Sequence, residues 1–210
     1  KKNINKFIKS NNYVAIPLIY LRIHHFNTYY NKISPPNITN FEDKKFCLQV
    51  SFFNPALHNT NENSIYNNIL NKLKNIGNVD TIRMNRDRLI NTTCYNDVKL
   101  LSLFNEYKFI YCFENSFING YITEKIFNVL YSRSIPIYIG PSDTNRYFNT
   151  ESIIFIEQDN SNREHAMKKI IELNNNKDKY NIALNSNKIN NIDDDNYIKQ
   201  THEFISNYFD

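Results

Sequence analysis

Charged and hydrogen-bonding side chains are concentrated in one short stretch, residues 113–125, which reads FENSFINGYITEK. It contains two acids, two amides, a phenol and an ammonium group: Glu114, Asn115, Asn119, Tyr121, Glu124 and Lys125. An ammonium group is a compact positive charge that suits a phosphate. The stretch therefore predicts a site for an anionic ligand.

The segments on either side predict how this stretch is positioned. Residues 109–113 (FIYCF) form a short β-branched and aromatic run, which predicts a buried strand. Residues 126–131 (IFNVLY) have a helical apolar spacing, with Thr123 as N-cap. In open α/β sheets, ligands bind where a strand leads through a loop into a helix. The helix dipole disfavours Lys125 in the first turn, and a bound phosphate would account for it.

The rest of the chain alternates between strand and helix patterns. Further strands are predicted at residues 46–53, 79–83, 135–139 and 153–156, and helices at residues 16–26, 63–76, 97–104, 163–173 and from 193 onward. A loop rich in Asn and Lys precedes the last helix. This alternation predicts a Rossmann-like parallel sheet with helices on both faces.

Composition limits the classes of protein to consider. At 210 residues and 41% hydrophobic content, the chain supports one domain, or one domain and a small appendage. The net charge of +4 comes from scattered lysines, so it does not demand a nucleic-acid partner. No run approaches the roughly 20 apolar residues of a membrane span. The chain begins at Lys1, so we expect it to be a processed product or a piece of a longer protein.

Other reactive side chains form no recognisable site. Cys47, Cys94 and Cys112 are far apart and lack metal-ligand spacing, which favours free thiols in a reducing compartment. No acidic cluster indicates a metal site, and no nucleophile-elbow signature indicates a hydrolase. His24 and His25 lack a carboxylate at useful spacing, so we interpret them as a linker pair.

Residues 113–148 (FENSFINGYITEKIFNVLYSRSIPIYIGPSDTNRYF) resemble the signature of the α-1,3/1,4-fucosyltransferases, glycosyltransferase family 10. The similarity extends to residues 16–26, 45–55, 78–82 and 152–159. The resemblance implies a GT-B enzyme with two Rossmann-like halves, of which this chain is the C-terminal one. Residues 1–40 would then be a linker helix and loop, and residues 41–210 the nucleotide-sugar (donor) domain with its C-terminal helix.

The resemblance also implies a function and a set of site residues. The family transfers fucose from GDP-fucose to a glycan acceptor with inversion and requires no metal cofactor. By resemblance, Glu124 would bind the ribose hydroxyls and Lys125 would neutralise the diphosphate during catalysis. Tyr121 and Asn115 would line the same donor site.

Each assignment has a structural alternative. Lys125 could instead be a solvated helix lysine, and we favour the phosphate contact. Glu124 could instead only complement the helix dipole, and we favour the ribose contact. For Tyr121, core packing is as well supported as donor contact. An Asx-turn is equally plausible for Asn115. For Glu114 a structural role is favoured over donor contact.

The chain departs from the family pattern at three positions. Asn63 occupies the place of an arginine that contacts the donor phosphates. The Ser-Asn pair that ends the first strand is here Phe53 and Asn54, which keeps only the amide as a donor contact. Arg83 stands where the family has a glycine. We hypothesise that Arg83 or Arg86 supplies the lost phosphate contact.

The family's general base is a carboxylate in the N-terminal domain, and nothing in these 210 residues maps to it. We therefore expect an acceptor-binding domain outside this chain, and donor binding without efficient transfer from the chain alone. The alternative is a non-catalytic nucleotide-sugar or glycan-binding or structural domain of a larger polypeptide. A flavodoxin-like regulatory domain would explain the alternation but not the motif. Localisation stays open, with the Golgi lumen expected for a eukaryotic family member.

Overall fold

Strands and helices alternate through the part of the chain that the structure, a computed structural model, describes: residues 18–29, 32, 37–51, 65–83 and 98–190. The helices are α1 (Leu18–Tyr29), α2 (Ile65–Ile76), α3 (Val98–Asn105), α4 (Glu124–Tyr131), α5 (Thr144–Tyr147), α6 (Arg163–Asn175) and α7 (Lys177–Asn185). The strands are β1 (Lys45–Ser51), β2 (Val79–Arg83), β3 (Tyr107–Phe113), β4 (Ile135–Ile139) and β5 (Ile154–Ile156).

The five strands form one parallel sheet in the order β2-β1-β3-β4-β5. In β1, Cys47 pairs with Val79 of β2 on one side and Phe109 of β3 on the other. The chain first steps from β1 to β2 and then crosses back to β3. The strand order reverses between β1 and β3, and open α/β sheets bind ligands at the carboxyl ends of strands at such a point.

Both faces of the sheet are apolar and covered by helices, as the sequence predicted. All five residues of β4 are buried, which is typical of a parallel sheet with two covered faces. Alternate residues of β3 enter different apolar clusters: Ile110 packs with residues of α1, α3 and α4, whereas Phe109 packs with residues of α2, α6 and α7. The Rossmann-like fold class is confirmed.

Helix positions agree closely with the apolar spacing. The predicted inward face of α1 is buried, at Ile19, Tyr20, Ile23 and Phe26. α2 ends just before Gly77, where an added Cβ would lie 2.7 Å from the Phe46 ring, so a larger residue would displace that ring. Among the described helices, none is long and apolar enough to cross a bilayer.

One predicted loop is in fact a helix. The segment rich in Asn and Lys contains α7, which the composition concealed. Its N-cap is Asn176, whose side chain accepts a hydrogen bond from the backbone N–H of Lys179 at 2.9 Å. Tyr180 and Ala183, three positions apart, supply the buried face. Asn54, Asn63, Arg86, Cys94 and the helix predicted from residue 193 lie outside the described residues.

A buried lysine joins the amino ends of three strands. Lys44 is 7% exposed, and its ammonium group donates to the backbone oxygen of Asn105 and, at 3.1 Å, to the Asn105 side-chain oxygen. It also reaches the carbonyl oxygens of Arg133 at 3.3 Å and Tyr107 at 3.5 Å. Burial, with a smaller effect of the Arg133 charge, lowers the pKa of Lys44 to about 8.

The variant Lys44→Met should remove part of the pH dependence of stability. The pKa of Lys44 falls from 10.5 to about 8 on folding, so between these values the unfolded chain binds more protons and the free energy of unfolding rises with pH. From pH 8 to pH 9 the parent chain should gain about 1 kcal/mol more than the variant. Urea denaturation at the two pH values measures this difference.

Lys168→Met, at an exposed position on α6, controls for the loss of one positive charge. Lys188, whose pKa is also lowered to about 8, contributes the same dependence to all three proteins. Equal pH dependence in the parent chain and Lys44→Met would contradict the role assigned to Lys44.

Candidate functional site

The stretch that carries the polar side chains follows β3 at the carboxyl edge of the sheet, beside the point where the strand order reverses. The backbone N–H of Glu114 donates to the carbonyl of Ile139 at 3.0 Å, which extends the pairing of β3 with β4 by one residue. Beyond Glu114 the chain leaves the sheet and returns at α4. The strand, loop and helix predicted here are therefore present.

Glu114 is fully buried at 0% exposure, and its carboxylate lies at the centre of the site. Its oxygens accept hydrogen bonds from the backbone N–H of Thr123 at 2.8 Å and from the Tyr138 hydroxyl at 3.0 Å. The Thr123 hydroxyl lies 2.9 and 2.8 Å from the two carboxylate oxygens. This geometry supports the structural role favoured for Glu114, because the carboxylate is surrounded by donors of its own chain.

Lys125 completes this cluster. Its Nζ lies 3.0 Å from Oε2 of Glu114 and 3.3 Å from Oγ1 of Thr123, and its side chain is 11% exposed. The solvated-lysine alternative is therefore wrong. The unfavourable position in the first turn of α4 is offset by the buried carboxylate of Glu114. Contact between Lys125 and a phosphate stays a prediction. The contacts with Glu114 and Thr123 already fix the position of the ammonium group.

Two neighbours depend on the same carboxylate. Thr123 is the N-cap residue of α4, as predicted, but its side chain makes no capping hydrogen bond and instead contacts Glu114. Burial, together with the Glu114 charge, raises the pKa of Tyr138 well above its ordinary value, so its hydroxyl stays a donor. Gly140 allows this arrangement, because a Cβ there would lie 2.3 Å from the Tyr138 ring.

Glu124 lies one residue before Lys125 but faces different partners. Its carboxylate pairs with Arg22 of α1 at 3.5 Å, and the side chain is 32% exposed. It therefore remains accessible to a ligand while also complementing the dipole of α4. The ribose contact and the dipole alternative both stay compatible with this position.

The remaining predicted residues are more weakly defined. Asn115 is exposed and Tyr121 is half-buried, so complete core packing of Tyr121 is excluded. The backbone N–H of Tyr121 donates to the carbonyl of Ile118 at 2.9 Å. Arg83 ends β2, in register with Ser51, at the same edge as the site but two strands from β3, about 10 Å across the sheet.

Further contacts fix the loop between β3 and α4. Gly120 adopts a left-handed backbone with φ of 76°, which glycine tolerates, and its N–H donates to the Asp143 carboxylate at 2.9 Å. Its carbonyl accepts from the N–H of Ile19 at 3.3 Å. The Ser142 hydroxyl bonds to the Asn119 side chain at 3.3 Å. The loop is thus connected both to α1 and to the turn after β4.

Comparison with known proteins identifies the family of the chain. Residues 43–202 match the family model for glycosyltransferase family 10 (fucosyltransferase), C-terminal part. The chain belongs to glycosyltransferase family 10. The family 10 match covers the whole sheet and the candidate site, and it confirms the resemblance seen in residues 113–148.

Two relatives by sequence illustrate the relationship. An alpha-(1,3)-fucosyltransferase of Helicobacter pylori is 35% identical over 114 residues, 54% of this chain and 24% of the relative. A putative fucosyltransferase, R654, of Acanthamoeba polyphaga mimivirus is 32% identical over 127 residues, 57% of this chain and 21% of the relative. The family 10 chain described here therefore aligns with only a quarter or less of these two proteins.

Solved structures show the same relationship in three dimensions. A crystal structure of alpha1,3-fucosyltransferase superposes with a TM-score of 0.57 and 29% identity, over 74% of this chain and 41% of that one. The crystal structure of alpha1,3-fucosyltransferase with GDP-fucose gives a TM-score of 0.55 at the same identity, over 74% and 42%. The family 10 domain thus spans less than half of these solved chains and shares their α/β GT-B fold.

Sequence reasoning missed three side chains that support the site. The sequence pattern places Arg22 in an apolar helix and Tyr138 in a buried strand, and it assigns no role to Asp143. Each acts through a partner far away in sequence, and a hydrophobic pattern does not reveal such partners. Within the described residues, no group of three or more His, Cys, Asp or Glu side chains could hold a metal ion.

The variant Glu114→Gln should destabilise the domain strongly, because it leaves Lys125 without its counter-ion. Removing one partner of a buried ion pair typically costs about 3 kcal/mol or more. Chemical denaturation monitored by circular dichroism measures the loss. The double variant Glu114→Gln/Lys125→Met, which removes both charges, should recover part of it.

The matched control is Glu106→Gln, which breaks the pair between Glu106 and Lys45 at the same 3.0 Å distance. Those side chains are 48% and 54% exposed, so solvent screens the pair and the loss should be much smaller. Similar losses in Glu106→Gln and Glu114→Gln would contradict the central role of Glu114.

Proposed function

We propose that this family 10 domain binds GDP-fucose at the carboxyl edge of its sheet, and that the complete protein transfers fucose to a glycan acceptor with inversion. The observation that carries the proposal is the position of Lys125. Its ammonium group is held at the start of α4 by Glu114 and Thr123 and is 11% exposed. A helix start beside a strand-order reversal is where α/β sheets hold phosphates.

Lys125 would act on the leaving group. As the sugar–phosphate bond breaks, negative charge grows on the departing diphosphate while the sugar becomes oxocarbenium-like. A cation that is already fixed stabilises this charge more in the transition state than in the ground state. The hydrogen bonds of Glu114 prevent Lys125 from having to reorganise during the reaction.

The other site residues would orient the donor. Glu124, partly exposed and supported by Arg22, is placed to accept hydrogen bonds from the ribose hydroxyls. Tyr121 and Asn115, in the loop before α4, would contact the nucleotide sugar, and Asn54 would do so from the end of the first strand. The proposal requires no metal cofactor because Lys125 supplies the cation.

The solved relatives support the donor class. Two of them are crystal structures of alpha1,3-fucosyltransferase, one with GDP and one with GDP-fucose, and both are 29% identical to this chain. The described part of the chain shares their fold, and residues 113–125 follow β3 at the carboxyl edge of its sheet, which supports the proposed position of the donor.

Transfer also requires a base for the acceptor hydroxyl. Inversion places that base on the face of the sugar opposite the diphosphate. We propose that it comes from an acceptor-binding N-terminal domain outside these 210 residues. The glycan acceptor would then bind between that domain and the exposed side of the loop that contains Asn115.

One observation favours a second candidate, a non-catalytic nucleotide-sugar or glycan-binding or structural domain. Lys125 is balanced by Glu114, and Glu124 by Arg22, so these four side chains together carry no net charge. The sequence also has Asn63 where the family has a phosphate-binding arginine. A domain that had lost catalysis could keep the pairs for stability alone.

Isothermal calorimetry with GDP separates the two candidates. Under the proposal the parent chain binds GDP, and the variant Glu114→Gln/Lys125→Met binds at least about tenfold more weakly, since one charge-assisted hydrogen bond is lost. The double variant is used because it leaves no buried charge unpaired. Circular dichroism verifies that it is folded.

Lys168→Met, an exposed lysine on α6, serves as the matched control and should leave the affinity unchanged. Unaltered GDP binding in the double variant would sink the proposed role of Lys125. A folded parent chain that does not bind GDP would favour the structural candidate.

The missing arginine generates a further prediction. Either Arg83→Ala or Arg86→Ala should weaken GDP binding by about tenfold or more, because an arginine clamp on a diphosphate contributes charge and bidentate geometry. Arg83→Lys should restore only part of the loss, since lysine keeps the charge and not the fork. Unchanged calorimetric affinity in both alanine variants would refute the replacement hypothesis.

A further inference from the structure

A cavity of about 440 Å³ opens at the amino edge of the sheet, opposite the candidate donor site. One wall is the end of α1, at Phe26 and Asn27, and another is the segment from Asn185 to Lys188 at and after the end of α7. Arg133, in the turn that leads into β4, forms a third side. The volume is in the range of pockets for small molecules.

Two cations line this cavity, and its lining includes no acid. Arg133 donates from Nη2 to the Asn185 side-chain oxygen at 3.2 Å, and it takes part in none of the ion pairs found among the described residues. Its Nε is buried and has no hydrogen-bond partner in the described part of the chain. The guanidinium group therefore keeps donors that are not used.

Lys188 is 6% exposed, and its ammonium group donates to the carbonyl oxygens of Ala183, at 3.2 Å, and Leu184 at the end of α7. These carbonyls satisfy hydrogen bonds but bring no full negative charge. Burial, followed by the charge of Arg133, lowers the pKa of Lys188 to about 8. Arg133 also lowers the pKa of Lys44, so three cations lie close enough to repel one another.

The backbone of Arg133 adds a separate observation. Its φ is 60°, a left-handed conformation that residues other than glycine seldom adopt. The turn would be easier to form with glycine. The cost of this backbone conformation must be offset by favourable contacts of the arginine side chain. Among the described residues, its one side-chain hydrogen bond, to Asn185, offsets the cost only in part.

We propose that this cavity binds a small phosphate-bearing molecule, with its phosphoryl group against Arg133 and Lys188. Two cations match the double negative charge of a phosphate monoester, and arginine pairs with phosphate through parallel hydrogen bonds. Asn27, Asn185 and Ser186 line the same space and present amide and hydroxyl groups to the remainder of the ligand. The site is independent of the donor site, which lies at the opposite ends of the strands.

The decisive variant is Asn185→Asp in the 210-residue chain. It places a carboxylate where the Asn185 oxygen now accepts from Arg133, and so fills the cavity with a counter-ion while keeping the side-chain shape. Calorimetry with inorganic phosphate, at constant ionic strength set with sodium chloride, should show binding to the parent chain. The affinity should fall at least about tenfold in Asn185→Asp and in Arg133→Gln.

Two controls separate this site from other effects. Asn71→Asp makes the same change at an exposed position on α2 and should leave phosphate binding unaltered. The second control repeats Asn185→Asp in the Glu114→Gln/Lys125→Met background, which lacks the phosphate-binding cation of the proposed donor site, and the fall of about tenfold should persist there. Asn185→Asp adds a favourable ion pair with Arg133, so we expect this variant to fold. It therefore still tests the proposal if Arg133→Gln does not fold.

A hexose 6-phosphate serves as a second probe. If it binds more tightly than inorganic phosphate, the amide groups of the cavity contact the sugar hydroxyls. If it binds equally tightly, the site recognises the phosphoryl group alone. Both results support the proposal. Absence of phosphate binding to the parent chain would overturn it. So would binding that survives in Asn185→Asp but disappears in Glu114→Gln/Lys125→Met.

Discussion

The carboxylate of Glu114 is the constraint on which the carboxyl edge of this domain depends. It is fully buried, so it must be satisfied entirely by the protein, and the satisfying groups come from two different elements. Tyr138 reaches it from β4, while Thr123 and Lys125 reach it from the start of α4. Through one buried charge, the strand, the loop and the helix that form the candidate site hold one another in position.

Positive charge is managed differently at the two edges of the sheet. At the carboxyl edge, Lys125 has a carboxylate partner, and the described ion pairs leave little net charge. At the amino edge, Lys44 and Lys188 are held by carbonyl oxygens instead. Burial, followed by the charge of Arg133, lowers the pKa of both lysines, and the carbonyl dipoles that orient the ammonium groups supply no full negative charge to offset this. The positive charges at the amino edge therefore repel one another, and a bound anion would reduce this repulsion.

The sequence predicts this domain well where one local pattern decides the structure. β2 and β4 begin and end at the predicted residues, because short β-branched runs are bounded by turn residues. α7 was missed because its asparagines and lysines conceal a buried face of only Tyr180 and Ala183. The pattern predicts that the polar stretch follows a strand and precedes a helix, as observed, but it does not predict the contact between Glu114 and Tyr138. That contact depends on strand pairing and on a rotamer, and the spacing of residues encodes neither.

Gly140 gives the domain a vulnerability that lies outside its charged residues. A single methyl group at this position would collide with Tyr138 and withdraw a hydroxyl from Glu114, although residues 121–125 (YITEK) would be unchanged. A substitution in the turn after β4, which carries no charged group of the site, can therefore disrupt the contacts of Glu114. A family member that keeps the residues matching 121–125 but lacks this glycine would lose this arrangement around Glu114, and a search for the motif alone would overlook the loss.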